Sequence, residues 1–123
     1  LNVEYNDMHS FHGGKTLTVN SDTLWAEYLL REGAGRRKVD SPPIILTSDQ
    51  LRTLVSLLLE IEAWEQRVPN REPLRDESRA GLSIRLGTVE SRIWEWYNDL
   101  SGNDRMVRVK QMLEAIVGPP PNG

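Results

Sequence analysis

Apolar and polar residues alternate from the first positions of the chain. Val3 and Tyr5 are set among Asn2, Glu4 and Asn6, and Leu17 and Val19 among Thr16, Thr18 and Asn20. A two-residue period puts one set of side chains on each face of a strand, so both stretches predict half-buried strands. Asn20-Ser21-Asp22 reads as a turn. After it, Leu24-Trp25-Ala26-Glu27-Tyr28-Leu29-Leu30 is apolar enough for a strand well inside a sheet. Gly33-Ala34-Gly35 breaks that run. Val39 to Leu46 predicts a further strand, which Pro42-Pro43 confines to an edge or a bulge, because proline has no amide to give to a ladder.

The period changes at Thr47. Thr47-Ser48-Asp49-Gln50 has the form of a capping box, and Leu51, Leu54, Val55, Leu58 and Ile61 follow at helical spacing. Leu57 and Leu59 widen the stripe, and the pattern predicts a helix to about Trp64. Residues 67–80 form a polar loop punctuated by Pro69 and Pro73. Leu82, Ile84 and Leu86 then alternate with Ser83 and Arg85, Gly87-Thr88 turns the chain, and Ile93-Trp94-Glu95-Trp96-Tyr97 reads as the returning strand. A second turn spans residues 98–103. The last helix starts near Asn103 or Asp104, carries Met106, Val109, Leu113, Ile116 and Val117 on its inner face, and stops at Gly118.

The predicted order is βββ(β)-α-ββ-α. Helices do not alternate with single strands, which argues against a doubly wound parallel sheet. Successive hairpins predict an α+β fold: an antiparallel sheet of five or six strands with two helices on one face. Residues 1–117 form a single domain, and the proline-rich stretch 118–123 is a flexible tail.

Composition narrows the function classes. A chain of 123 residues is ordinarily one domain, and 27% charged residues against 38% hydrophobic ones describe a soluble domain. The net charge of −3 supplies no positive field for nucleic acid or anionic membrane, and no apolar run reaches the ~20 residues of a membrane span. The absence of cysteine removes disulfides, thiolate nucleophiles and sulfur-ligated metals. Leu1 stands where a starting Met would be, so a processed chain or an excised piece of a longer one is expected; an exported protein that has lost its leader is slightly favoured over a cytosolic one.

The densest candidate chemistry is the stretch from Asn6 to Thr16, with Asp7, His9, Ser10, His12 and Gly13-Gly14-Lys15-Thr16. A phosphate loop would need a glycine where His9 stands and a helix after Thr16, and here a strand follows. Asp7, His9 and His12 could ligate zinc. On a strand, however, residues three apart face opposite ways, so the histidines converge only if the chain turns between them. An exposed hairpin reversal, with partnerless histidines that titrate near neutral pH, is the plainer expectation. Ser10 lacks the setting of a serine nucleophile.

Carboxylates such as Asp76-Glu77 and the Glu60, Glu62 and Glu65 cluster read as solvated faces and loop ion pairs of little weight. Arg31 and Arg36-Arg37-Lys38 suggest a short positive loop. Arg67, Arg71, Arg75 and Arg79 recur every fourth residue, but Pro69 and Pro73 prevent a helical stripe, and neighbouring acids offset the charge.

Trp94 and Trp96 share one side of their strand, with Ile93 and Tyr97 on the other. Packing in the core under the helices is the plainer expectation for them. The alternative is an exposed aromatic platform, and Trp94, Trp96, Tyr97 and Trp25 are then the binding candidates. The resulting expectation is a small, soluble, non-enzymatic module without a cofactor that presents a surface to another protein. A ligand-binding protein with a pocket lined by Trp25, Trp64 or Trp94 is the first alternative. A metal-dependent hydrolase built on His9 and His12 is the second.

Overall fold

The computed structural model describes residues 1–9, 12–32, 35–65, 69–75 and 77–119. The strands are β1 (Asn2–Asn6), β2 (Gly14–Asn20), β3 (Thr23–Glu32), β4 (Gly35–Asp40), β5 (Ile44–Ile45), β6 (Arg79–Leu86) and β7 (Val89–Trp96). The helices are α1 (Ser48–Glu60) and α2 (Asp104–Val117), and a 3₁₀ turn, Tyr97–Gly102, links β7 to α2. All strands pair antiparallel in one sheet of order β4-β3-β2-β1-β6-β7, with β5 paired to the start of β3. The fold is α+β, with the element order the sequence predicts. No helix among the described residues is long and apolar enough to cross a membrane.

The two-residue period builds the core. Val3, Tyr5, Leu17, Val19, Leu24, Ala26, Tyr28, Leu82, Ile84 and Ile93 fall on one face of the sheet. Leu54 and Leu58 of α1 and Met106, Val109 and Leu113 of α2 close over them in a single cluster. The opposite face carries Glu4, Ser83, Arg85, Glu90 and Arg92, all exposed. Both helices therefore lie on one side; among the described residues the other side carries no helix and is covered at Trp96 by the segment around Arg71.

Local signals set the helix starts. Thr47 Oγ1 accepts the Gln50 amide at 3.1 Å and Gln50 Oε1 accepts the Thr47 amide at 2.8 Å, the reciprocal pair of a capping box. Asn103 Oδ1 accepts the Met106 amide at 3.1 Å and opens α2 in the same way.

Four assignments differ from the sequence expectation. The stretch 39–46 is not one strand: Ser41 to Pro43 leaves the sheet, separating β4 from the two-residue β5. Arg36-Arg37-Lys38, expected as a loop, lies inside β4. An edge strand exposed over most of its length needs no apolar alternation, so its sequence carries no period to read. α1 ends at Glu60 rather than near Trp64, because Glu62 turns to φ 54° and the chain leaves the helix. Arg105 of α2 then bonds the carbonyls of Ile61 at 2.9 Å, Glu65 at 2.8 Å and Glu62, a tertiary cap that local spacing does not reveal. Tyr97 opens the 3₁₀ turn instead of ending the strand. Expectations that concern Ser10, Gly33-Ala34, Arg67, Asp76 and the tail from Pro120 onward lie outside the described residues.

Candidate binding surface

The segment after β1 folds back as the reversal the sequence predicts. Asp7 and Lys15 bond across it, with the Asp7 amide to the Lys15 carbonyl at 3.0 Å and the Lys15 amide to Asp7 Oδ1 at 2.8 Å. His9 and Gly13 exchange two backbone bonds of 2.8 and 2.9 Å. Glycine is required for steric reasons. Gly13 sits at φ 78°, where a Cβ would stand 2.3 Å from the Leu29 carbonyl oxygen; at Gly14 it would stand 2.5 Å from that of Asp7.

The histidines are not the partnerless side chains expected. His9 is buried, with its ring centroid 4.6 Å from His12 and 4.5 Å from Tyr97. His12 stacks on Tyr97 at 5.8 Å with 6° between the planes. The His12 amide donates to His9 Nδ1 at 3.3 Å. Burial, then the charges of His12 and Arg36, lower the His9 pKa.

Asp7 turns away from the rings. Its Oδ2 accepts the Tyr5 hydroxyl at 2.8 Å and lies 3.7 Å from Lys110 Nζ. Asp7, His9 and His12 are therefore not gathered, and among the described residues no group of three His, Cys, Asp or Glu is placed to hold a metal ion. Beside this network Lys15 pairs with Glu114, which ties the hairpin to α2. Burial, reinforced by Asp7, raises the Tyr5 pKa, so the phenol stays a proton donor to that carboxylate.

The tryptophans also depart from expectation. Leu82 pairs with Ile93 in the core, whereas Gly81 pairs with Trp94 and Arg79 with Trp96. Alternation thus places both indoles on the open face, away from the helices. Trp96 is only 5% exposed, yet it is covered from that outer side. Its Nε1 donates to the Arg71 carbonyl at 3.3 Å, and its ring meets Trp94 edge-on at 4.9 Å and 85°. The Arg79 guanidinium lies 4.0 Å above the Trp94 centroid and 5.0 Å from that of Trp96.

The lid over Trp96 is built by an ion pair the sequence reading undervalued. Arg71 grips both oxygens of Glu77, and Arg71 Nε reaches Asp99 Oδ2 at 2.7 Å. The Glu77 side chain is 1% exposed, unlike the solvated loop carboxylate expected. The Arg71 hydrogen bonds lower its pKa to about 2, with help from the Leu74 amide and against the opposing effect of burial. Six residues separate the partners in sequence, a distance no regular element marks, and the every-fourth-residue arginine spacing pointed elsewhere.

The remaining candidates are dispersed. Tyr97 belongs with the histidines. Trp64 packs on the helix-side core, and its Nε1 is buried without a partner. Trp25 is half-buried on the open face beside a depression of about 400 Å³ bordered by Thr23, Glu27, Asp40 and Pro43. Three strands separate β3 from β7, so Trp25 and Trp94 stand about 19 Å apart at ~4.8 Å per strand. The depression beside Trp25 lies on the open face and Trp64 packs on the helix side, so these two indoles do not line one pocket. A second depression on the open face, about 270 Å³, is lined by Glu4, Thr18, Ser83, Arg85, Glu90 and Arg92 among others. It is smaller than the ~300 Å³ at which drug-sized cavities begin.

No protein-family model matches the chain, no curated protein matches it in sequence, and no solved structure matches its fold.

Proposed function

We propose that the chain is a non-enzymatic interaction module that docks another protein on the open face of its sheet. The observation that carries this reading is the state of Trp94: half-buried, on the face without helices, and fixed between Arg79 and Trp96. A rigid, partly exposed indole loses little entropy on binding, and tryptophan and arginine dominate the energetics of protein interfaces. Gly81 lies opposite Trp94, and a Cβ there would meet nothing within 4 Å, which leaves room beside the indole for a partner's side chain. Ser83, Arg85 and Arg92 supply a polar surround. A sugar ring would compete with Arg79 for the face of Trp94 that Arg79 already covers.

The test uses the purified chain as bait in an extract of its source, followed by titration of each captured protein with wild type, Trp94→Ala and Leu59→Ala. Leu59 is 64% exposed on α1 and serves as the control. A partner that loses about tenfold or more in affinity with Trp94→Ala, and nothing with Leu59→Ala, supports the reading. Partners indifferent to Trp94→Ala would sink it.

A further inference from the structure

β4 ends the sheet, and no strand among the described residues pairs with its outer side. Gly35, Arg36, Arg37 and Lys38 are all exposed along it. Three consecutive cations thus mark one sheet edge in a chain whose net charge is −3.

The backbone orientation of this edge follows from one hydrogen bond. The Ser41 amide donates inward to the Ala26 carbonyl at 2.8 Å, continuing the register that pairs Glu27 with Asp40. Antiparallel ladders alternate with a period of two, so the main-chain groups of Val39 and Arg37 face β3. Those of Arg36, Lys38 and Asp40 face outward. The side chains divide as well. Lys38 pairs across from Leu29 on the open face, and Arg37 from Leu30 on the helix side. Positive charge therefore flanks the free edge on both faces.

We propose that β4 is a docking edge for an extended acidic segment of a partner protein, which adds to the sheet as a further strand. The outward amides and carbonyls supply the ladder, and Arg36, Arg37 and Lys38 supply cross-strand partners for Asp or Glu. Lys38 meets Glu27 only at 3.7 Å, with both side chains solvent-exposed, so that contact holds it weakly. A second copy of the chain is a poor occupant, because pairing β4 with β4 brings cations opposite cations. Nucleic acid has no strand to complete the ladder. Cations on an edge also discourage indiscriminate pairing, so the same residues that guard β4 select what it admits. This inference uses a different surface from Trp94 and stands or falls apart from it.

The experiment measures fluorescence polarisation of two labelled peptides, one alternating glutamate with valine and one alternating lysine with valine, against the full chain. The expected result is binding of the glutamate peptide alone, about tenfold or more weaker in the Arg36→Glu/Lys38→Glu double variant. Lys38→Pro deletes an outward amide without touching the β3–β4 ladder, so it is expected to fold normally and to bind as weakly as the double variant. Leu59→Ala, on α1 and away from the edge, is expected to bind like wild type. Amide exchange on the wild-type complex, expected to slow at Arg36, Lys38 and Asp40, decides the matter even where Lys38→Pro is unstable. Equal binding of both peptides, no binding of the glutamate peptide, or binding without slowed exchange at those amides overturns the proposal.

Discussion

The Arg71 guanidinium holds both carboxylate oxygens of Glu77, Nη1 to Oε1 at 2.8 Å and Nη2 to Oε2 at 2.6 Å. The same arginine reaches Asp99 through Nε and receives the Trp96 indole on its carbonyl. One residue thus joins the segment before β6 to the 3₁₀ turn and to β7. Planar two-point pairing of this kind is specific to arginine.

An acid transition follows from this pair. Glu77 has its pKa lowered from 4.5 to about 2. A carboxyl whose folded pKa is depressed contributes stability that is complete above its unfolded value and is lost as pH falls through the folded one. Wild type is therefore expected to lose stability between about pH 4.5 and pH 2. Glu77→Gln should be less stable at pH 7 and flatter across that window in denaturant titrations at several pH values. An unchanged acid limb would contradict the assignment.

The two neighbouring tryptophans should behave differently. Trp96 is 5% exposed and covered by the Arg71 segment, so Trp96→Ala is expected to cost ~3–5 kcal/mol. Trp94 is only half-buried, and Trp94→Ala loses a partial burial and the Arg79 contact, together roughly 1–2 kcal/mol. Calorimetric melting of both variants checks the order. Equal losses would mean that Trp94 is as much a packing residue as Trp96.

The glycines separate backbone strain from crowding. Gly14 combines φ 146° with a Cβ position 2.5 Å from the Asp7 carbonyl oxygen, so Gly14→Ala must displace backbone. A loss of about 2 kcal/mol or more is expected. Gly87 sits at φ 60° with nothing within 4 Å, and Gly87→Ala should cost only the ~1 kcal/mol of conformation. Chemical denaturation of the pair gives the difference directly.

His9 gives a second pH dependence. Its pKa is lowered from 6.5, so the unfolded chain takes up a proton that the folded one resists. Stability is complete above pH 6.5 and falls as pH drops through it, the sense required when the unfolded state binds more protons. Proton NMR of the two imidazoles should show His9 titrating below 6.5. His9→Gln should remove its share of the slope.

Where a side chain's role is set by its own neighbours in sequence, the structure follows the pattern. Val3 with Tyr5, Leu17 with Val19, and Thr47 with Gln50 are such cases. Where the deciding partner is remote, the pattern misleads. The end of α1 depends on Arg105, the burial of Glu77 on Arg71, and the packing of His9 on Tyr97, none adjacent in sequence. The indoles of Trp94 and Trp96 lie on one side of β7 as alternation requires. Which side that is depends on Ile93 pairing with Leu82, and sequence alone does not say which of two apolar rows meets the helices. β4 was hidden for the opposite reason: an exposed edge has no core face to leave a period.

The rows Val3–Ile84 and Tyr5–Leu82 join strands that lie far apart in the chain. Every other neighbouring pair in the sheet is a near neighbour in sequence and can form early, but this seam must wait for a long loop to close. The seam also makes the domain divisible. A chain severed in the segment 69–75 would leave β1 on one fragment and β6 on the other. Mixing the two halves should restore the sheet, which suits the protein to use as a split reporter.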